Sequence, residues 1–414
     1  MTSIFTYPKA HSNKATNRFS FDVQGIDLSI VNGLRRTILT DIPSVGIVFE
    51  GEPSMTIEAN TGPLHNEILT HRMSMIPIHL SEEELESYEN NSLTFELNKV
   101  NRTDYMMNVT THDIRLMKEN EEISLEKVKH YFPVNSWSKA PILITRLRPK
   151  ERIHMYGNFV KSSARENAGF APVSLCTFSP HLNHEKIQSE NIQNVLQKER
   201  TFLQNDYGDP IAWTFDIEPE TGLDVGYLVS KAFSILKGRV QNAIQTLTSD
   251  ALEFEKNEIL NTYEYIFRNE DDTLGNMIQS YIHNTYYRTQ TLIQQNYKLK
   301  YVGYYCPHPL DPKVNVRLTV RSANEDNDSE EIPEVVIRDI LKMCLHELLS
   351  HLEEIHKEWN RINHREETEA PAQEPLTTDT DLPSLEEIPV TEEVVVPEPV
   401  KVKKPRAKKE KVKA

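Results

Sequence analysis

The sequence predicts an α+β fold made of two modules of one plan, with a β-rich insertion in the first module and a disordered tail at the C-terminal end. Two observations carry this reading. Residues 27–39 and the stretch that opens at Arg268 each read as a helix started by an acid able to cap free backbone amides. Each half then holds a long amphipathic stretch, 223–247 in the first and 332–359 in the second.

The organising stretch is 268–310. Asp271 or Asp272 caps a helix whose Leu274, Met277, Ile278, Tyr281 and Ile282 form one apolar stripe. Residues 300–305 follow as a strand, and Pro307 and Pro309 bar it from continuing inside a sheet. The helix over 27–39 has its own stripe, Ile30, Leu34 and Ile38, with Arg35 and Arg36 standing off it. On the long stretches the expected seam residues are Leu228, Ala232, Ile235, Leu236 and Ile244 against Ile340, Leu341, Leu345, Leu348 and Leu352.

In chain order, residues 17–25 alternate as a half-buried strand, and strands are expected at 45–50 and 55–58. A short helix over 64–73 should turn Leu64, Ile68 and Leu69 inward and hold His71 and Arg72 at its C-terminal end, where cations suit the dipole. Short β-rich runs at 93–97, 105–111, 142–147 and 152–159 give 79–205 the texture of an insertion, with a surface helix over 183–204. The first module is then residues 1–78 joined to 206–250, with strand 213–218 before the long helix. The second module is 251–365: a charged bridge to 262, strand 262–268, the capped helix, strand 300–305, strand 313–320 and the second long helix. Residues 366–399 hold no Lys or Arg and 401–414 are almost wholly basic, so 366–414 is expected to be disordered.

Composition narrows the function. The 414 residues allow two or three domains, and 38% hydrophobic content suits soluble globular parts. A net charge of −16 argues for protein partners, because a nucleic-acid binder as a whole needs a basic face. The chain has no long apolar run and no signal-peptide pattern, which reads as a cytosolic or nuclear-type protein. The three cysteines, Cys176, Cys306 and Cys344, have no metal-ligand spacing. Glu270, Asp271 and Asp272 read as an acidic helix start rather than a metal cluster, and His308 as a turn residue or partner contact. His181 with His184, and the five-residue steps His346, His351 and His356, do not make a ligand set. No phosphate loop, nucleophile elbow or zinc-protease motif is present, so no catalytic residue, cofactor or metal is expected. Arg35 and Arg36 read either as a solvated face or as a docking pair; the basic tail reads as solvated disorder, nonspecific nucleic-acid contact or an import signal.

The run Gly33-Leu34-Arg35-Arg36, with Pro43-Ser44-Val45, residues 60–72 (NTGPLHNEILTHR) and Ile76-Pro77-Ile78, resembles the amino-terminal half of the RNA polymerase alpha-like subunit family. That family includes bacterial alpha, its larger archaeal equivalent and the third-largest eukaryotic subunit. Residues 269–276 (NEDDTLGN), Gly303-Tyr304 and Pro307-His308-Pro309-Leu310 are similar to its smaller partner, the eleventh subunit of the eukaryotic enzymes and its archaeal equivalent. Both in one chain look like the fused subunit of nucleocytoplasmic large DNA viruses, the African swine fever virus group among them. The cysteine-rich metal loop of several relatives has no counterpart here, and loop 161–173 is poorer in Gly, His and Lys than the family's.

The resemblance implies a non-catalytic assembly platform, a pseudo-dimer within one chain, for the two largest polymerase subunits. The face around Asn32, Arg35, Arg36 and Thr37 would meet the second-largest subunit, and Asp272, Thr273, Leu274, Gly275, Asn276, Pro307, His308, Pro309 and Leu310 would lie toward the largest, with His71 and Arg72 as further contacts. It also implies small polymerase subunits as partners, nucleic acid reached only through the complex, no homo-oligomer, and a place in the host cytoplasm and virion, with the nucleus as a second compartment. The competing reading is a free-standing regulatory or nucleic-acid-binding protein that uses its basic tail.

Overall fold

The computed structural model describes residues 3–10, 17–49, 54–118, 121–135, 138–249, 252–294, 296–323 and 331–363. The tail 366–414 lies outside them.

The chain begins with β1 (Lys9–Ala10), β2 (Phe19–Gln24) and α1 (Leu28–Thr40). Asp27 caps α1, its carboxylate accepting from the Ser29 amide at 2.8 Å. Next come β3 (Pro43–Gly46), β4 (Met55–Asn60), α2 (Asn66–Ser74), α3 (Glu82–Glu86), β5 (Leu93–Val100), β6 (Met107–Thr110), β7 (Arg115–Lys118), β8 (Glu121–Glu122) and α4 (Leu125–Tyr131). After β9 (Leu143–Leu147), β10 (Arg152–Asn158) and β11 (Val160–Ser163) the chain reaches β12 (Val173–Pro180). Two short helices, α5 (His184–Ser189) and α6 (Val195–Arg200), precede β13 (Ala212–Pro219) and the long α7 (Val225–Thr248). The second half is β14 (Glu253–Lys256), β15 (Thr262–Arg268), α8 (Asp272–Ile282), a π turn at His283–Arg288, β16 (Tyr297–Tyr305), β17 (Lys313–Ser322) and α9 (Glu334–Ile362).

Strand pairing reveals an internal repeat. The first half forms an antiparallel sheet in the order β1-β2-β13-β12, the second one in the order β14-β15-β17-β16. In each, a strand leads into a capped helix, a hairpin returns, and a long helix closes the unit. The sheets are amphipathic as the two-residue period requires: β13 buries Trp213, Phe215 and Ile217. Gly275 lets α8 lie directly on its sheet, since a Cβ there would stand 2.4 Å from Tyr304 and 2.9 Å from Val314.

The sheets also move the expected boundaries. β4, which precedes residue 79, belongs to a separate five-stranded sheet, β4-β10-β5-β7-β8, while β12, inside 79–205, pairs with β13 along its length. The interval with no equivalent in the second half therefore runs from the end of α1 to the start of β12. The bridge 250–262 contains the edge strand β14, and the strand expected at 45–50 is β3, paired with β11. Ile68 is 47% exposed rather than inward, because α2 starts at Asn66 and turns Leu69 and Met73 to the core. The helix expected over 183–204 is broken into α5 and α6, neither with a buried residue.

Candidate assembly interface

Two helix seams join the halves. α7 and α9, 24 and 29 residues long, extend about 36 and 43 Å. The Trp359 indole N–H donates to the Gly226 carbonyl at 3.0 Å, and Ser230 Oγ lies 2.8 Å from His356 Nε2. The start of α7 thus meets the end of α9, and the pair is antiparallel. Leu228, Ala232, Leu236 and Ile244 are buried on α7, and Ile340, Leu341, Leu345, Leu348 and Leu352 on α9; Ile235 is half-buried. Each fully buried aliphatic side chain contributes roughly 1.5–3 kcal/mol before ordering entropy.

Sequence reading missed the aromatic end of this seam. Trp359 has ring centroids 5.1 Å from Phe5 and 4.9 Å from Phe21, both in the first half, and His356 stacks on Phe233 at 5.7 Å. Burial, aided by Lys237, pushes the His356 imidazole down to about 4, so the ring is neutral at pH 7. The step from Ile355 to Trp359 is one helical turn, and it was the available signal.

The second seam is α1 on α8. Gly33 faces Met277, whose sulfur would stand 3.2 Å from a Cβ at that glycine. Asp27, at the start of α1, accepts from Ser280 at 2.9 Å and Asn284 at 2.8 Å near the end of α8. At the other end Arg36 lies 3.7 Å from Asp271, which caps α8 through the Thr273 amide at 2.9 Å. This pair is antiparallel too.

Where the two seams approach, Arg239 of α7 reaches across the halves. Its Nη2 donates to Glu270 and to Asp271, each at 2.6 Å, and its Nη1 lies 3.3 Å from Asp41. Arg165 bridges Asp41 and Asp271, each at 2.9 Å. With Arg36, three guanidiniums balance three carboxylates. The Arg239, Asp41 and Glu270 side chains are 11%, 9% and 12% exposed, so the balance matters, because an unpaired buried charge is strongly destabilising. Burial opposes ionisation of Asp271, yet the Arg239 charge and the hydrogen bonds from Arg239 and Thr273 outweigh it and hold the carboxyl well below the usual range. Burial lifts the Glu270 carboxyl, with Arg239 pulling against it. The acidic helix start read from sequence is thus half of a bond between modules, and Arg239, one of three cations on α7, carried no sequence signal.

The expected contact residues divide by exposure. Thr37, Thr273, Leu274 and Gly275 are buried within the chain and present no side chain to a partner; they pack the α1–α8 seam and the α8 face. The expectation for those four is corrected. Arg72 is committed to the Ile144 and Leu143 carbonyls at 3.1 and 2.8 Å, while His71 is exposed with its ring 5.2 Å from Phe49. Arg35 donates to Asn32 at 3.1 Å, and both are half-exposed, as are Arg36 and Asn276. Asp272 is exposed and takes the Cys306 thiol at 3.2 Å; burial and that carboxylate raise the thiol to about 11. Pro307, His308, Pro309 and Leu310 are exposed, Leu310 at 87%, in a turn held by the Leu310 amide on His308 Nδ1 at 3.1 Å. Arg36, through Asp271, brings the two expected faces side by side. Among the described residues no group of His, Cys, Asp and Glu is placed to hold a metal, and no helix is long and apolar enough to cross a membrane.

The two halves also separate in comparison with known proteins. The family model described as the RNA polymerase Rpb3/Rpb11 dimerisation domain matches residues 20–240, and a second model of the same description matches 262–358. The chain is 25% identical over 182 residues to the human DNA-directed RNA polymerases I and III subunit RPAC1, covering 39% of this chain and 51% of that one. It is 26% identical over 216 residues to the Dictyostelium discoideum rpac1 subunit, covering 48% and 61%. To the Thermococcus kodakarensis polymerase subunit Rpo3 it is 34% identical over 65 residues, covering 16% and 23%. It therefore spans about half to three fifths of the first two of these relatives. With one match running from β2 into α7 and the other from β15 into α9, the chain belongs to the RNA polymerase Rpb3/Rpb11 dimerisation-domain family, as a mixed helix-and-sheet protein with two such domains in tandem.

Proposed function

We propose that this chain is a non-catalytic assembly-platform subunit of a multisubunit DNA-dependent RNA polymerase. Its two modules pair within one polypeptide as a pseudo-dimer, and the two largest subunits gather on that base. One observation carries the reading: two halves, each matched as an Rpb3/Rpb11 domain, share a strand order and clasp through two antiparallel helix pairs. The five-stranded sheet is an insertion in the first module, occupying the interval between α1 and β12.

Tandem arrangement has a physical consequence. A bridge of a dozen residues spans about 20 Å and gives an effective concentration on the order of millimolar. Against micromolar free partners that is about a thousandfold, or near 4 kcal/mol. This economy fits the fused subunit of nucleocytoplasmic large DNA viruses, with a place in the host cytoplasm and virion. Docking falls to the exposed members of the expected set: Asn32, Arg35 and Arg36 for the second-largest subunit, Asp272, Asn276 and Pro307–Leu310 for the largest. Small polymerase subunits join the same complex, and a net charge of −16 favours protein partners over direct nucleic-acid contact.

The test is affinity purification of the tagged chain in high salt. Retention of both largest subunits is expected, and replacing Arg35 and Arg36 with alanine should reduce the second-largest selectively. A chain that elutes alone contradicts the proposal.

A further inference from the structure

The two long helices match position by position. Leu228, Ala232, Leu236, Val240 and Leu247 are buried on α7, and at one constant offset so are Ile340, Cys344, Leu348, Leu352 and Trp359 on α9. The shorter helices match as well, with Asp27 and Asp271 as their caps and Gly33 answering to Met277. This correspondence shows what each module would meet if it paired with its own kind.

On α9 the counterpart of Arg239 is His351, and the counterpart of Arg36 on α8 is Ser280. His351 packs near Tyr281, ring centroids 6.2 Å apart, and burial lowers its pKa. Two second modules facing each other would set Glu270 and Asp271 against this histidine and a serine, in place of two arginines. Two first modules would set Arg239 against Ile26 and Asp27, losing one carboxylate of the pair it now holds. In the observed pairing the first module contributes Arg36, Asp41, Arg165 and Arg239, a surplus of two positive charges. The second contributes Glu270 and Asp271, a surplus of two negative.

We infer that the Arg239 cluster is a pairing key that selects a first module for a second module and rejects both self-pairings. The aliphatic part of the seam supplies adhesion of low selectivity, since α7 and α9 present surfaces of the same periodicity there, while Trp359 adds a shape-dependent contact at one end. Charge decides the partner, because a like-charge or unpaired arrangement in a nearly dry site is penalised far more than an apolar mismatch of similar size. The inference rests on reading the chain as a module pair.

Charge exchange in the full chain tests it. R239E leaves four carboxylates facing two guanidiniums, and E270R leaves four guanidiniums facing two carboxylates. Each alone is expected to raise the unfolding equilibrium constant at least about tenfold, whereas R239E/E270R in one chain recovers at least about tenfold over the less stable single variant. Selectivity is read by co-expressing the R239E chain with the E270R chain and weighing the products by native mass spectrometry. A swapped dimer containing one of each is expected, with few dimers of either chain alone, since only the mixed species restores both clusters. A double variant no more stable than the less stable single, or co-expressed chains that do not find each other, overturns the inference. Binding of polymerase subunits is a separate readout: its loss in wild type would sink the platform reading while leaving the pairing key standing.

Discussion

The clasp has two unlike regions. At the start of α7, Trp359 sits among Phe5, Phe21 and the carbonyl of Gly226, with His356 stacked on Phe233; further along α7, where α8 begins, Arg239 gathers Asp41, Glu270 and Asp271. Aromatic packing and area burial supply most of the adhesion and ask little of the partner beyond shape. Buried charges add little net adhesion, because desolvation offsets their attraction, yet they penalise wrong partners heavily. A protein holding two similar modules needs both properties, and it keeps them at separate places.

Four changes would break or sharpen that contrast. The largest effect is expected from Trp359→Ala, which empties the aromatic end and removes the indole donor that the Gly226 carbonyl has beside its helical partner. A loss of about 3–5 kcal/mol in denaturant unfolding, nearly independent of salt, is expected. Next is pH. An unfolded His356 takes its proton near 6.5, the folded one near 4, so between those values the unfolded chain binds more protons. Stability therefore falls as pH drops through that window, by up to about 3 kcal/mol. The difference in unfolding free energy between wild type and His356→Leu, followed from pH 7 to pH 4, isolates this group from every other. Asp271 in the ionic region behaves differently: its folded pKa is depressed, so its contribution is fully present above about pH 4 and is lost only below.

A smaller effect, about 1–3 kcal/mol, is expected for Gly275→Ala, whose new methyl meets the Tyr304 ring and Val314. The same change at Gly33 meets the flexible Met277 thioether and should cost less; thermal unfolding of the two variants side by side checks the order. Smallest is Arg36→Ala. It lies 3.7 Å from Asp271 and its own side chain is 38% exposed, so about 0.2–1 kcal/mol is expected, and less in high salt. A large loss there would place Arg36 inside the pairing key rather than at its rim.

The repeat of capped helix and long amphipathic helix was legible because each burial stripe follows the helical period, and Asp27 and Asp271 sit where caps belong. The edges of the inserted sheet were not legible. β4 and β12 are ordinary strand sequences, and nothing local states that one pairs with β10 and the other with β13. β14, Glu253–Lys256, hides in a charged bridge because an edge strand with all four residues exposed has no apolar alternation to show. The motif over 272–276 mixes two roles that sequence does not separate: Thr273, Leu274 and Gly275 face inward, and Asp272 faces out. Arg239 was invisible because its partners lie in other elements, two of them in the other module. Periodicity reports which face is buried, not which charge waits there.

Hydrogen exchange in Leu236→Ala tests the clasp most directly. Leu236 lies on α7, fully buried in the middle of the seam. If α7 and α9 are held as one unit, amides of Ile340 to Trp359 should lose protection together with those of α7, by a similar free energy. Faster exchange confined to α7, with α9 unchanged, would show that the two halves do not hold each other.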